Sequence, residues 1–259
     1  MIVHLNCGLL HVPPGPQAAC HCLLVELGGG RLALVDTGIG LEDIARPRER
    51  IGQAAIDGAG FQFHERLTAR RQIERQQIEG RGFAAADVSD IVLTHGDPDH
   101  AGGLADFPAA RVHLSVEEQA QITAGGPRYS AAQFAHGPRW ETYGPSPRRW
   151  FGLEARAIPA LAACEGMLIP LFGHTHGHCG VALRDGERWL LHVGDAYYLR
   201  AELTDDNHPV SALAQLRADN DQKRRATLTN LRRLAQNHGE EVNLVGYHDL
   251  TEFPTPPTL

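Results

Sequence analysis

Thr94-His95-Gly96-Asp97-Pro98-Asp99-His100-Ala101-Gly102-Gly103 decides how this chain is read. His95, Asp97, Asp99 and His100 place four metal-capable side chains within six residues. They follow Ile91-Val92-Leu93, an apolar run that predicts a buried strand. Imidazole nitrogens and carboxylate oxygens suit Zn, Mn or Fe. The plain alternative is a polar turn, since Gly, Asp and Pro are ordinary turn residues. Later strand ends decide against it.

Composition narrows the field. With 259 residues the chain can bury a sizeable core. No Gly/Ser linker interrupts it, so a single domain over 1–259 is expected. No apolar run approaches the ~20 residues that cross a bilayer. Met1-Ile2-Val3-His4-Leu5-Asn6 has no basic region followed by an apolar stretch, so no signal peptide is expected and the compartment is read as cytoplasmic. The net charge of -7 speaks against nucleic acid, which needs a basic face. A small-molecule substrate is the expected partner, with no nucleic acid and no membrane. The five cysteines, Cys7, Cys20, Cys22, Cys164 and Cys179, are an odd set without a C-x-x-C pair, which argues against a disulfide framework. Cys20-His21-Cys22 runs into Leu23-Leu24-Val25 and reads as a strand with both thiols on one face.

Along the chain, 20–27 and 31–36 read as strands joined by Gly28-Gly29-Gly30, a hairpin. Residues 40–62 read as an irregular exposed connection, a flap over a site. From 64 to 79 a charged helix is expected, with Leu67, Ile73 and Ile78 as a weak apolar stripe and Gly80 as its cap. Ser115 with Glu118 is a capping box after the strand 111–114. Residues 124–152 carry Tyr129, Phe134, Trp140, Tyr143, Trp150 and Phe151. These aromatics fit either a surface loop with its own small core or a wall of a substrate pocket. An exposed aromatic loop there would also fit a homodimer. His136 in this stretch reads as a surface residue. Strands at 155–158 and 167–171 precede a hairpin, 181–183 with 189–193, turning at Arg184-Asp185-Gly186-Glu187. One long helical region, 211–238, shows Leu228, Leu231, Leu234 and Ala235 as a stripe. Val242-Asn243-Leu244-Val245 is the last strand expected, before a Pro-rich stretch from Thr251 to Leu259.

Three further strand ends complete a pattern: Gly173-His174-Thr175-His176-Gly177-His178, Gly194-Asp195, and Gly246-Tyr247-His248. With Val35-Asp36-Thr37-Gly38 ahead of it, the opening stretch resembles the H-x-H-x-D-H signature of the metallo-β-lactamase superfamily. Asp97 stands where the second His is usual. The match in order covers residues 20–250. The resemblance implies an α/β fold, an αββα sandwich of two mixed sheets with helices outside. It implies that Asp36 supports the metal loop from beneath and that His174 is the ligand of its motif, with His176 and His178 as supports or surface. His192, inside a strand, reads as buried and hydrogen-bonded. Two divalent ions follow, Zn by family. His95, Asp97 and His174 would hold one; Asp99, His100 and His248 would hold the other. Asp195 would bridge them together with a hydroxide.

Two such cations roughly 3.5–4 Å apart generate hydroxide near neutral pH, polarise a carbonyl and hold the leaving oxygen. The expected activity is a metallo-hydrolase acting on an ester-like bond, a lactone for preference. Asp99 is the candidate to carry the proton as the tetrahedral intermediate collapses. Tyr198 resembles a Tyr of lactone-cleaving members, acyl-homoserine-lactone lactonases among them, and a phenol there can donate to an oxyanion. The alternatives are an iron-dependent oxidoreductase, a thioester hydrolase of the glyoxalase II type, or a β-lactamase-like enzyme. Asp97 matters to all of them. With His there, the two ions, two carboxylates and hydroxide sum to about +1; with Asp97 they sum to about zero. The added oxygen also tilts the preference towards Mn or Fe.

Overall fold

Seven strands form the first sheet: β1 (Ile2–His11), β2 (Gln17–Gly28), β3 (Arg31–Val35), β4 (Phe61–Gln62), β5 (Val88–Val92), β6 (Arg111–Ser115) and β7 (Arg139–Tyr143). Their order is β4-β1-β2-β3-β5-β6-β7. The β4-to-β3 half is antiparallel, and β3, β5, β6 and β7 run parallel. A short ribbon follows, β8 (Arg149–Trp150) with β9 (Leu153–Glu154). The second sheet, in chain order, is β10 (Arg156–Ala157), β11 (Met167–Pro170), β12 (Cys179–Asp185), β13 (Arg188–His192) and β14 (Val242–Val245). It is antiparallel except for the β13–β14 pair. The computed structural model describes residues 1–13 and 15–255, apart from the side chains of residues 78 and 79. Residues 256–259 of the Pro-rich stretch and the Ile78 side chain of the helix stripe lie outside it.

Period-two alternation explains the layers. Leu23, Val25, Ala33, Val35 and Val92 of the first sheet meet Leu168, Val181, Leu183, Leu190 and Val245 of the second. The alternate residues Cys20, Cys22, Leu24, Leu34 and Ile91 face outward, onto Ile51, Phe61 and Ile73. The outward face of the second sheet, through Ile169, Ala182, Leu191 and Leu244, takes the Leu228, Leu231 and Leu234 stripe. Both sheets are thus covered on both faces, which is why their strands read as near-continuous apolar runs. The result is the αββα sandwich expected from the sequence. Each stripe leucine contributes about 1.5–3 kcal/mol by burial. The five cysteines are free and buried, as a chain without a disulfide framework requires.

Several elements differ from expectation. Residues 40–62 are three short helices, α1 (Leu41–Ala45), α2 (Pro47–Arg50) and α3 (Gln53–Ala59), before β4. A buried ion pair, Arg50 Nε to Asp43 Oδ1 at 2.9 Å, organises them, and Gln133 also donates to Asp43. The helix expected over 64–79 is shorter, α4 (Ala69–Gln76), and less solvated. Ile73 is buried, and Gln72 is buried by donating to the Asn6 carbonyl of β1. α5 (Pro98–Ala101) carries Asp99 and His100; α6 (Val116–Ala124) is capped by Ser115, whose Oγ accepts from Glu118 N at 3.0 Å. The region 124–152 includes α7 (Ala131–Phe134), the edge strand β7 and β8, so Phe134 lies on a helix and Trp140, Tyr143 and Trp150 on strands, while Tyr129 sits in a bend and Phe151 in a turn. The helix expected over 211–238 is broken at 218–220 into α8 (Val210–Arg217) and α9 (Asp221–His238). Asn220 accepts from Lys223 N at 2.9 Å and caps the second.

Candidate metal centre

All the expected ligands lie at one edge of the sandwich. Asp36 follows β3, His95 to His100 follow β5, Asp195 follows β13 and His248 follows β14; His174 sits in the turn between β11 and β12. Backbone bonds join the two sheets at this edge, from Cys179 N to Thr94 O and from Ala19 N to His248 O. Close approach selects glycine at two points. A Cβ on Gly177 would lie 2.1 Å from Glu118 N, and one on Gly194 would meet His178 Nε2 at 2.7 Å.

Supporting bonds set the tautomers. Asp36 is buried with a left-handed backbone, φ 54°. Its carboxylate accepts from Thr94 N and Thr94 Oγ1, both at 2.8 Å, and lies 2.8 Å from His100 Nδ1. Thr94 Oγ1, having donated to Asp36, accepts from His95 Nδ1 at 3.0 Å. His248 Nδ1 lies 2.9 Å from the Ala19 carbonyl and donates to it. His95, His100 and His248 therefore carry the proton on Nδ1 and turn Nε2 inward, the arrangement of metal-ligating imidazoles. His178 is a support: burial and then His174 push its pKa down to about 3. Neutral, it accepts from Asp195 N at 3.0 Å through Nε2 and donates to the Leu171 carbonyl through Nδ1. His176 is exposed, and buried His192 bonds the His21 carbonyl at 2.7 Å.

Two of the possible ligand groups are the expected triads, His95, Asp97 and His174, and Asp99, His100 and His248. Asp195 faces both. Its Oδ2 lies 3.3 Å from His174 Nε2 and 3.3 Å from His248 Nε2, and its Oδ1 lies 3.2 Å from His100 Nε2. His95 Nε2, His100 Nε2 and Asp195 Oδ1 are buried with no hydrogen-bond partner among the described residues. Buried lone pairs without donors, beside a buried carboxylate, are what a cation would satisfy. The donor set therefore fits divalent metals. Burial works against the Asp195 carboxylate, but His248, His100 and His174 outweigh it and hold Asp195 well below the usual range.

Asp97 has a partner that no local motif marks. Arg128 grips it bidentately, Nε to Oδ1 at 2.6 Å and Nη2 to Oδ2 at 2.7 Å. Burial opposes the Asp97 charge, but Arg128 and then His95 hold its pKa well below the usual value. The charge count made on Asp97 alone therefore changes: with a guanidinium on it, the sum returns to about +1. The argument for harder metals keeps only the oxygen ligand. Arg128 lies between Pro127 and Tyr129 in a loop, with no local pattern to mark it. Glu118, expected as half of a capping box, contributes only its N–H to Ser115; its side chain instead accepts from Gly96 N at 2.9 Å, Thr175 Oγ1 at 2.6 Å and Gly177 N at 3.2 Å. It thus joins the two ligand loops. Tyr247 donates to the Asp99 carbonyl at 2.6 Å and stacks on His100 with ring centroids 3.7 Å apart.

A cavity of about 150 Å³ opens onto Asp97, Asp99, His174, Asp195 and His248. Leu10, Val12, Leu199, Val210 and Leu213 supply much of its wall, and Ala59 brings in the 40–62 region. Tyr198 lines it too, with its ring 5.3 Å from that of His248 and 6.0 Å from that of His174. None of the six aromatics of 124–152 lines this cavity; Phe134 packs on Trp140, and Trp150 on Phe151 and Trp189. His136 is half-buried on the Gln133 carbonyl, away from the site. A wider groove of about 840 Å³ between Leu199 and Gln236 includes none of the seven ligands. No helix among the described residues is long and apolar enough to cross a membrane.

The family model described as the metallo-beta-lactamase superfamily matches residues 15–237. Probable metallo-hydrolases of Mycobacterium bovis and Mycobacterium tuberculosis are each 42% identical over 208 residues, which is 77% of this chain. The match spans 63% of the length of those relatives. Among solved structures, an N-acyl homoserine lactone hydrolase with the product N-hexanoyl-L-homoserine at its catalytic metal center superposes with a TM-score of 0.70 at 17% identity, over 96% of this chain and 93% of that one. AidC, a dizinc quorum-quenching lactonase, gives 0.56 at 20% identity, over 90% and 74%. At such identities the likeness is one of fold.

Proposed function

This chain belongs to the metallo-β-lactamase superfamily, and we propose that it is a metal-dependent hydrolase of an ester-like bond, a lactone before others. One observation carries the reading. Five of the seven ligand side chains border an apolar-walled cavity, so a carbonyl entering it meets the metal edge directly. Divalent cations on these ligands would lower the pKa of water at the site and polarise that carbonyl.

The chain's own residues supply the rest. Asp195 faces both triads, His174 on one side and His100 and His248 on the other, and would be shared between their cations. Asp99 borders the cavity as well as the second triad, placed to carry a proton from the attacking water to the leaving oxygen. Tyr198 has no hydrogen-bond partner for its hydroxyl among the described residues, and burial, then Asp195, push its pKa well above the ordinary value. It stays a donor on the wall of that cavity, able to donate to an oxyanion that forms there. The walls from Leu10, Val12, Leu199, Val210 and Leu213 suit an apolar chain on the substrate. The acyl-homoserine product bound in one structural neighbour supports that choice.

The test is to purify the protein, count its metals, and assay lactones, esters and thioesters beside His95→Ala. Lactone turnover that is lost with His95 is the expected result. Thioester turnover without lactone turnover would replace the substrate class, and no turnover on any of them would sink the hydrolase reading.

A further inference from the structure

The two triads are not equivalent, and the difference is Arg128. Its Nη2 lies 2.7 Å from His174 Nε2 as well as 2.7 Å from Asp97 Oδ2. A guanidinium has donors and no lone pair, so His174 Nε2 must accept there. A lone pair spent on that bond is not available to a cation. His174 Nδ1 in turn is buried without a hydrogen-bond partner among the described residues, unlike Nδ1 of His95, His100 and His248. Two of the three ligands of one triad are thereby engaged by a permanent cation.

The guanidinium is held from its other side as well. Nη1 donates to the Arg217 carbonyl at 2.7 Å and to Asp219 Oδ1 at 3.1 Å, at the break between α8 and α9. Asp97 keeps it charged despite its burial. The second triad has nothing comparable. Arg128 makes its hydrogen bonds and ion pairs with Asp97, His174, Arg217 and Asp219 and none with Asp99, His100 or His248, while His100 Nε2 and Asp195 Oδ1 have no hydrogen-bond partner among the described residues and lie 3.2 Å apart.

We infer that Arg128 is an internal cation that competes for the first metal subsite. The chain then holds one metal tightly, on Asp99, His100, His248 and Asp195. A second metal loads on His95, Asp97 and His174 only as Arg128 gives up His174. This rests on the metallo-hydrolase reading and adds an order of filling to it. Arg128 is a positioning residue: it acts on metal occupancy, and the reacting atoms are elsewhere.

Metal affinity tests the inference without reference to turnover. The chelator-stripped wild type, Arg128→Gln and Arg128→Ala are titrated with Zn²⁺ and with Mn²⁺ by calorimetry. Elemental analysis after dialysis counts what stays bound. The expected wild type retains one equivalent and binds a second roughly 100-fold more weakly, the range over which partners of metal ligands act. Both variants should bring the two affinities within about tenfold of each other. Should neither variant fold, Asp219→Asn loosens the outer anchor without touching a ligand, and should narrow the same gap. Two equal, tight equivalents in the wild type, or a gap unchanged in every folded variant, would overturn the inference and leave the hydrolase reading standing. No tight metal in any protein would sink both.

Discussion

The two triads teach more by their difference than by their shared chemistry. Each draws two ligands from the loop after β5 and one from the second sheet, and each faces one carboxylate, Asp195. In the Asp99–His100–His248 group, burial works against His100's charge, while Asp195 and Asp36 outweigh it and push its pKa up. Negative charge there is in excess and a cation is called for. In the His95–Asp97–His174 group the extra carboxylate already has its cation, Arg128. A ligand motif states which atoms can bind. It does not state what else is bound to them.

Exchanging the second-sheet ligands gives the sharpest contrast. His248→Ala should cost roughly 10³-fold in kcat/KM, and His174→Ala roughly 10- to 100-fold, since the second removes a ligand that Arg128 already holds. Steady-state kinetics with metal in excess measures both, and equal losses would erase the difference between the triads. Tyr198→Phe comes next. Its ring lies near both His248 and His174, so losing the hydroxyl should lower kcat by roughly 10²-fold while both metal affinities stay put. A shift in either affinity would move Tyr198 from the substrate to the metals.

A control away from both triads is read in stability and leaves turnover untouched. Burial pushes the Asp106 carboxyl up from 3.8 to about 6, against the Leu41 N–H that it accepts. The folded state therefore keeps a proton that the unfolded chain has already lost. The stability present below pH ~4 declines as pH rises through about 6. Asp106→Asn should be more stable than the wild type by up to about 3 kcal/mol at pH 7 and nearly equal to it at pH 4. Urea unfolding at the two pH values reads this. A gain independent of pH would mean that burial of the charge is not its source.

What was legible in the chain follows the same division. The strand-end ligands were, because each motif is local: His95 to His100 is one loop, and Gly194-Asp195 and Gly246-Tyr247-His248 each close an apolar run. The period-two strands gave the two sheets for the same reason. Arg128 was not legible, because its partners are Asp97, His174 and Asp219, far away along the chain. Glu118 was seen at its local contact with Ser115 and missed at its distant ones with Gly96 and Thr175. The helices of 40–62 depend on Asp43 and Arg50 meeting each other and Gln133, which composition does not reveal. The aromatics of 124–152 are conspicuous in sequence, yet none lines the cavity; the region reaches the metal centre through Arg128 on Asp97 and through the Tyr129 hydroxyl, which donates to Glu118 at 3.0 Å.

Each triad spans both sheets, since Asp97 and His174, like His100 and His248, come from opposite layers. A bound cation is thus also a clip that closes a long stretch of chain, acting on the unfolded ensemble much as a crosslink does. Opening the sandwich at this edge requires the clip to be released. The lifetime of the folded state, and with it resistance to proteolysis, should rise with free metal concentration even where no substrate is present.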